Sequence, residues 1–150
     1  MWSDVSNLKF TRKEIGKVHI EMRFVRGDHR RSDGLGGVGG WAGSPRVGGD
    51  IFFDDEENWS LDSYNSLYNF LFGEETNLLF VATHELGHAL GLRHSNKTKA
   101  LMAPEMSLTG EVKLDIDDIQ GIQALYGAPG LTRPYVEDME EVDIETGNRR

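Results

Sequence analysis

The sequence predicts an α+β domain. Strand-like alternation is concentrated in its first third, helical spacing with start and stop signals follows, and no internal repeat links the two into strand–helix units. At 150 residues the chain is long enough for one domain with its own core. Leu8 to Lys13 and Val18 to Val25 carry the alternation and β-branching of strands. The second sets His19, Glu21 and Arg23 on one face and Val18, Ile20, Met22 and Phe24 on the other. From residue 27 to 50 the glycine-rich stretch, interrupted by Val38, Trp41 and Pro45, reads as a long turned loop without regular elements. Asp50 to Phe53 is a short apolar strand ending in Asp54-Asp55-Glu56-Glu57. Tyr64, Leu67, Tyr68 and Leu71 follow helical spacing until Gly73. Asn77 to Leu90 is the clearest helix, stopped by Gly91. A loop through Pro104 leads to a last helix from Asp115 to Tyr126, closed by Gly127 and Pro129. The folded unit is therefore expected over residues 1–129, and 130–150, with the acidic run Glu137 to Glu145, as a solvated, disordered tail.

Composition narrows the function classes. A net charge of −9 argues against nucleic acid, whose phosphates need a basic face, and leaves no polybasic membrane anchor. With no cysteine, disulfides and thiolate metal sites are excluded, so any metal is held by His, Asp, Glu or carbonyl oxygens. The apolar stretches, such as Leu78 to Ala82, are far too short for a bilayer, and Met1-Trp2-Ser3-Asp4 lacks the regions of a signal peptide.

Three of the five histidines fall between residues 84 and 94. Helix positions four apart share a face, so His84 and His88 can aim at one ion. Gly91 is free to take a positive φ and turn the chain, which returns His94 as a third ligand. Three histidines leave the fourth position of a zinc ion open, the arrangement of a catalytic rather than a structural site. Glu85, beside the first ligand, is placed to act as general base.

The run His84-Glu85-Leu86-Gly87-His88-Ala89-Leu90-Gly91-Leu92-Arg93-His94 resembles the metzincin zinc proteases, which share H-E-x-x-H-x-x-G-x-x-H. Ser95 after the third histidine narrows the likeness to the matrixins, the matrix metalloproteinases. Ala100-Leu101-Met102-Ala103-Pro104 looks like the family's tight turn beneath the zinc, with Met102 as its methionine. Further matrixin-like stretches run from Trp2 to Gly127, among them Phe24 to His29, Gly48 to Asp50, Phe53 to Trp59 and Asp117 to Gln123. The resemblance implies a zincin-like fold: a twisted mixed sheet, an active-site helix behind it and a C-terminal helix. It also implies a structural calcium held by carboxylates of Asp33, Asp54 and Glu57 and carbonyls of Gly34, Gly36 and Val38, an oxygen cage suited to Ca²⁺. For a second family calcium site Gly48 and Asp50 match, but His19 stands where an aspartate is expected. The family's structural zinc site is not matched, because His29 stands alone where Arg31, Trp41 and Phe52 replace or displace its partners. The pocket for the side chain after the scissile bond is expected between the zinc helix and the segment after Met102, lined by Val81, Pro104 and Met106. Met106 stands where a tyrosine is usual.

Matrixin catalytic domains begin well before the equivalent of Trp2, with a strand inside the sheet and a long helix across it. Neither is in this sequence, so the resemblance implies a domain lacking these elements, with an inner lane of the sheet unfilled and backbone groups unpaired. What the resemblance implies for function is a zinc-dependent endopeptidase acting on extended polypeptides, extracellular-matrix proteins among them. Its setting would be extracellular, and protein inhibitors of metalloproteinases are implied partners. The alternative is a weak or inactive matrixin-derived fragment acting as a binding or decoy form.

Overall fold

Residues with strand periodicity near the N-terminus assemble into one sheet, and the computed structural model describes residues 1–26, 40–42, 49–61, 75–104, 112–131 and 141–146. Its five strands are β1 (Lys9–Arg12), β2 (Ile20–Val25), β3 (Gly40–Ala42), β4 (Ile51–Asp54) and β7 (Glu141–Thr146), in the order β1-β7-β2-β4-β3. The first four lanes run parallel and β3 lies antiparallel to β4, so the sheet is mixed, as expected. A short parallel ladder pairs β5 (Trp59–Ser60) with β6 (Thr76–Asn77).

Two long helices follow the start and stop signals of the sequence. The first, α2 (Leu78–Ala89), is capped by Asn77, whose side chain accepts from the Phe80 N–H at 2.8 Å. It ends where Gly91 takes φ 102° and Leu92 N–H returns to the Gly87 carbonyl at 2.9 Å. The second, α3 (Ile116–Tyr126), opens on a reciprocal capping box between Asp115 and Asp118. A single turn, α1 (Trp2–Val5), precedes β1 and packs on α3. Helix α2 lies against β3 and β4, and the shared core comprises Ile20, Ile51, Phe53, Phe80, Val81, Leu101, Met102 and Ile122. Trp2, 2 % exposed, joins that core and donates from Nε1 to the Thr83 carbonyl at 3.0 Å, which ties the N-terminal turn to α2.

Three expectations need correction. The glycine-rich stretch is not wholly irregular, because Gly40–Ala42 pairs with Ile51–Phe53. The segment after residue 130 is not simply a solvated tail. Glu141–Thr146 forms a strand between β1 and β2, with registers Lys9↔Glu141 to Arg12↔Ile144 on one side and Ile20↔Ile144 to Met22↔Thr146 on the other. The inner lane is therefore filled, not open. Its physical reason is the double edge: β1 and β2 present unpaired N–H and C=O groups to one gap, and a strand there satisfies both rows at once. Ile144, half-buried, packs on the core from this lane. The expected helix around Tyr64 to Leu71 lies outside the described residues.

Candidate metal centre

Helix geometry does what the spacing predicts. His84 and His88 sit one turn apart on α2 with ring centroids 4.7 Å from each other. The turn at Gly91 brings His94 back to 5.4 Å from His84 and 4.7 Å from His88. One ligand atom from each of the three lies within 4.8 Å of the other two, a spacing fit to surround one ion. Among the described residues this is the group of His, Asp or Glu side chains so arranged.

Hydrogen bonds set the chemistry of the rings. His84 Nδ1 donates to the Leu101 carbonyl at 2.8 Å and His88 Nδ1 to the Leu92 carbonyl at 2.9 Å. A carbonyl only accepts, so the proton is on Nδ1 and the lone pair on Nε2 is left for a metal. His88 Nε2 is buried and has no hydrogen-bond partner among the described residues. Such an orphan costs free energy in a fold that does not use it, and a cation resolves it. Burial pushes both histidines below the usual imidazole range, His88 to about 4. Both are therefore neutral near pH 7, the form that ligates. These donors fit zinc: three imidazoles with an open fourth position.

Glu85, one residue after the first histidine, is 1 % exposed. Met102 is 2 % exposed, in a turn where Ala103 N–H meets the Ala100 carbonyl at 3.1 Å and Ser95 N–H meets the Met102 carbonyl at 2.7 Å. Val81 is buried and Pro104 exposed, while Met106 lies outside the described residues.

Sequence reasoning missed the supports beneath this centre. Asp118, 2 % exposed, accepts from Leu101 N–H at 2.7 Å, Met102 N–H at 3.0 Å and Asp115 N–H at 2.8 Å. One carboxylate thus joins the start of α3 to the methionine turn, and through the Leu101 carbonyl to the His84 ring. Its neighbour Asp117 accepts from Ser95 Oγ at 2.5 Å, just past His94. Gly87 is the second support. A Cβ there would stand 2.4 Å from Met102 Sδ and 3.0 Å from Trp2 Cζ2, so glycine lets the methionine and tryptophan close on this helix face without a shift. The capping pattern Asp115–Asp118 was a visible signal for the first support; nothing in the sequence signalled the second.

Of the expected calcium ligands, Asp33, Gly34, Gly36 and Val38 lie outside the described residues. Asp54 and Glu57 share one turn after β4, where Asp54 Oδ1 accepts from Glu56 N–H at 2.8 Å and Glu57 Oε2 from Thr76 Oγ1 at 3.2 Å. Gly48 is outside the described residues, and Asp50 Oδ1 accepts from Glu21 N–H at 3.0 Å, which occupies one of its oxygens. Phe52 lies opposite Trp41 in the β3–β4 register, an aromatic pair of positions with no metal-ligating atom, while His29 and Arg31 lie outside the described residues.

Comparison with known proteins identifies the family. The Matrixin family matches residues 1–127. Interstitial collagenase of Equus caballus is 45 % identical over 132 residues, which are 85 % of this chain and 26 % of the relative. Macrophage metalloelastase of Oryctolagus cuniculus is 44 % identical over 141 residues, 89 % of this chain and 28 % of the relative. Stromelysin-3 of Rattus norvegicus is 39 % identical over 137 residues, 88 % and 26 % respectively. The chain thus spans about a quarter of the length of the curated relatives it matches.

Proposed function

The chain belongs to the matrixin family, and on that footing we propose that it is a zinc-dependent endopeptidase that cuts extended polypeptides, extracellular-matrix proteins among them. The observation that carries the reading is the cluster of His84, His88 and His94 with ligand atoms within 4.8 Å of one another, beside the buried Glu85. His84, His88 and His94 would hold the zinc through ring nitrogens. When bound, the ion supplies Lewis acidity that lowers the pKa of water and polarises a carbonyl.

Everything else falls to the chain's own groups. The Glu85 carboxylate takes a proton from the attacking water and returns it to the departing amine, a role worth roughly 100- to 10,000-fold in rate. Leu101 and Leu92 carbonyls hold the two helix histidines in the correct tautomer, and Met102 closes the floor against Gly87. Val81 and Pro104, with Met106 as the family resemblance implies, would line the pocket for the side chain after the scissile bond. An ion held by Asp33, Asp54 and Glu57 with carbonyls of Gly34, Gly36 and Val38 would be Ca²⁺, given all-oxygen donors. Gly48 and Asp50 are the candidates for a second calcium. The names of the relatives, collagenase and metalloelastase, support matrix proteins as the substrate class, and an extracellular setting with metalloproteinase inhibitors as further partners belongs to the same proposal. No helix among the described residues is long and apolar enough to cross a membrane.

Support for a catalytic chain over a purely binding or decoy form comes from β7, which completes the sheet behind the zinc helix and so gives the ligands a rigid base. The test is Glu85→Gln in the full chain. Zinc content should stay at the wild-type level while peptide hydrolysis falls at least about 100-fold. Equal activity in the variant removes Glu85 from the mechanism, and absence of zinc from the wild-type chain removes the reading altogether.

A further inference from the structure

Trp2 meets the zinc helix at two places. Its Nε1 donates to the Thr83 carbonyl at 3.0 Å, a buried bond between residues 81 positions apart. Its Cζ2 stands 3.0 Å from where a Cβ on Gly87 would lie, so the indole covers that glycine. Thr83 and Gly87 are the residues immediately before His84 and His88. Positions four apart share one flank of a helix, so a single rigid ring braces the backbone just ahead of each helix ligand. Met102 Sδ converges on the same gap over Gly87, which sets the indole against the methionine turn as well.

The indole is itself held from behind. Ser6 Oγ donates to the Trp2 carbonyl at 2.8 Å, Gln123 Nε2 donates to the Val5 carbonyl at 2.8 Å, and Asn7 N–H donates to the Gly127 carbonyl at 3.2 Å. Asn7 also bonds in both directions with the turn after α3: Nδ2 donates to the Leu131 carbonyl at 2.8 Å and Oδ1 accepts from Gly130 N–H at 3.0 Å. These bonds fasten α1 to α3, and α3 holds the methionine turn through Asp118. Trp2 closes the circuit, because it carries that anchorage across to α2. A large apolar ring of any kind would fill the space. The indole does more, since its one donor is spent on a carbonyl beside a ligand and its face on a glycine beside another.

Resting on the zinc reading given above, we propose that Trp2 is a positioning residue of the metal centre. By bracing Thr83 and Gly87 it fixes where His84, Glu85 and His88 stand relative to His94 and the methionine turn. Ligands and a general base must be held to about 0.5 Å by packing and hydrogen bonds beneath them. A misplacement of about 1 Å can cost on the order of 100-fold in rate. Loss of the brace therefore affects zinc affinity and turnover beyond what its effect on folding would explain.

The test separates positioning from stability. Full-length wild type and Trp2→Phe, which keeps an aromatic ring but has no N–H, are compared with Ile20→Val and Ile20→Ala. Ile20 is a core residue of β2, 3 % exposed, and its truncations lower Tm from within the sheet. All are assayed well below the lowest Tm of the set. In competition with a chromophoric chelator, Trp2→Phe should hold zinc about tenfold more weakly than wild type. Its kcat on an extended peptide should fall about tenfold with KM nearly unchanged, because the brace orients the centre and does not touch substrate. The Ile20 variants should melt lower yet keep wild-type zinc affinity and kcat. A Trp2→Phe chain with either zinc affinity or kcat at the wild-type level overturns the positioning role. So do Ile20 variants that lose both in proportion to their Tm, which would make the two measurements mere reports of stability. Failure of the wild-type chain to bind zinc overturns the zinc reading itself, whereas a wild type that binds zinc and cuts peptide beside an unaffected Trp2→Phe overturns this inference alone.

Discussion

Replacing Asp118 by alanine should damage the metal centre from a distance. The side chain accepts from three N–H groups, two of which, on Leu101 and Met102, belong to residues only 2 % exposed. Each buried donor left without an acceptor costs about 1–3 kcal/mol. Loss of half the capping box at the start of α3 adds about 1 kcal/mol. Water entering the space vacated by the carboxylate recovers part of this, which leaves a net loss of about 3–4 kcal/mol. For a domain of this size that corresponds to a fall in Tm of roughly 6–16 °C. The same change frees the Leu101 carbonyl that orients His84, so zinc affinity should drop about 10- to 100-fold. Asp118→Asn should recover part of the loss, because its amide oxygen can still accept from Leu101 and Asp115 while its amide nitrogen cannot accept from Met102. Asp117→Ala removes only the half-exposed Ser95 contact and should cost under about 1 kcal/mol. Thermal melts and competition with a chromophoric zinc chelator read both effects. An Asp118→Ala protein that melts within a degree or two of wild type and holds zinc equally well would show that the methionine turn is positioned by something else.

Four further outcomes follow from the same contacts. In chelator, stability should fall as pH drops from 6.5 towards 4, by up to about 3 kcal/mol from His88, because the unfolded chain takes up a proton that the buried ring refuses; urea melts of wild type and His88→Leu should differ in this slope. Gly87→Ala gains about 1 kcal/mol of helix propensity but drives a methyl into Met102 Sδ, so a net loss of about 1 kcal/mol and weaker zinc binding are expected; a more stable variant would mean the methionine moves freely. Gly91→Ala forces a non-glycine residue to φ 102°, at a cost of about 1–2 kcal/mol, and should loosen His94 more than the helix histidines, readable as broadened His94 signals in the zinc-loaded spectrum. Calcium at a hundredfold excess over its Kd should stabilise the chain by about 2.7 kcal/mol, and identical melts in chelator and in millimolar calcium would remove Asp33, Asp54 and Glu57 from the account.

The zinc helix, its start at Asn77, its stop at Gly91 and the return of His94 were all legible in the sequence. Each depends on contacts within a few residues, where 3.6-residue periodicity and glycine's access to positive φ leave little choice. The start of the last helix at Asp115 and the strands β1, β2 and β4 were legible for the same reason. Long-range placement was not. Asp118 reads locally as a cap, and only the packing of α3 against the turn makes its carboxylate an acceptor for Leu101 and Met102. Gly87 reads as a weak point in a helix until Trp2 and Met102 are seen to need its missing side chain. Glu141–Thr146 reads as part of an acidic tail, because a run of charge is the strongest local signal there. It becomes a strand because β1 and β2, more than a hundred residues away, offer two rows of unpaired backbone groups that no nearer segment fills, and that demand is a property of the assembled sheet, not of the segment.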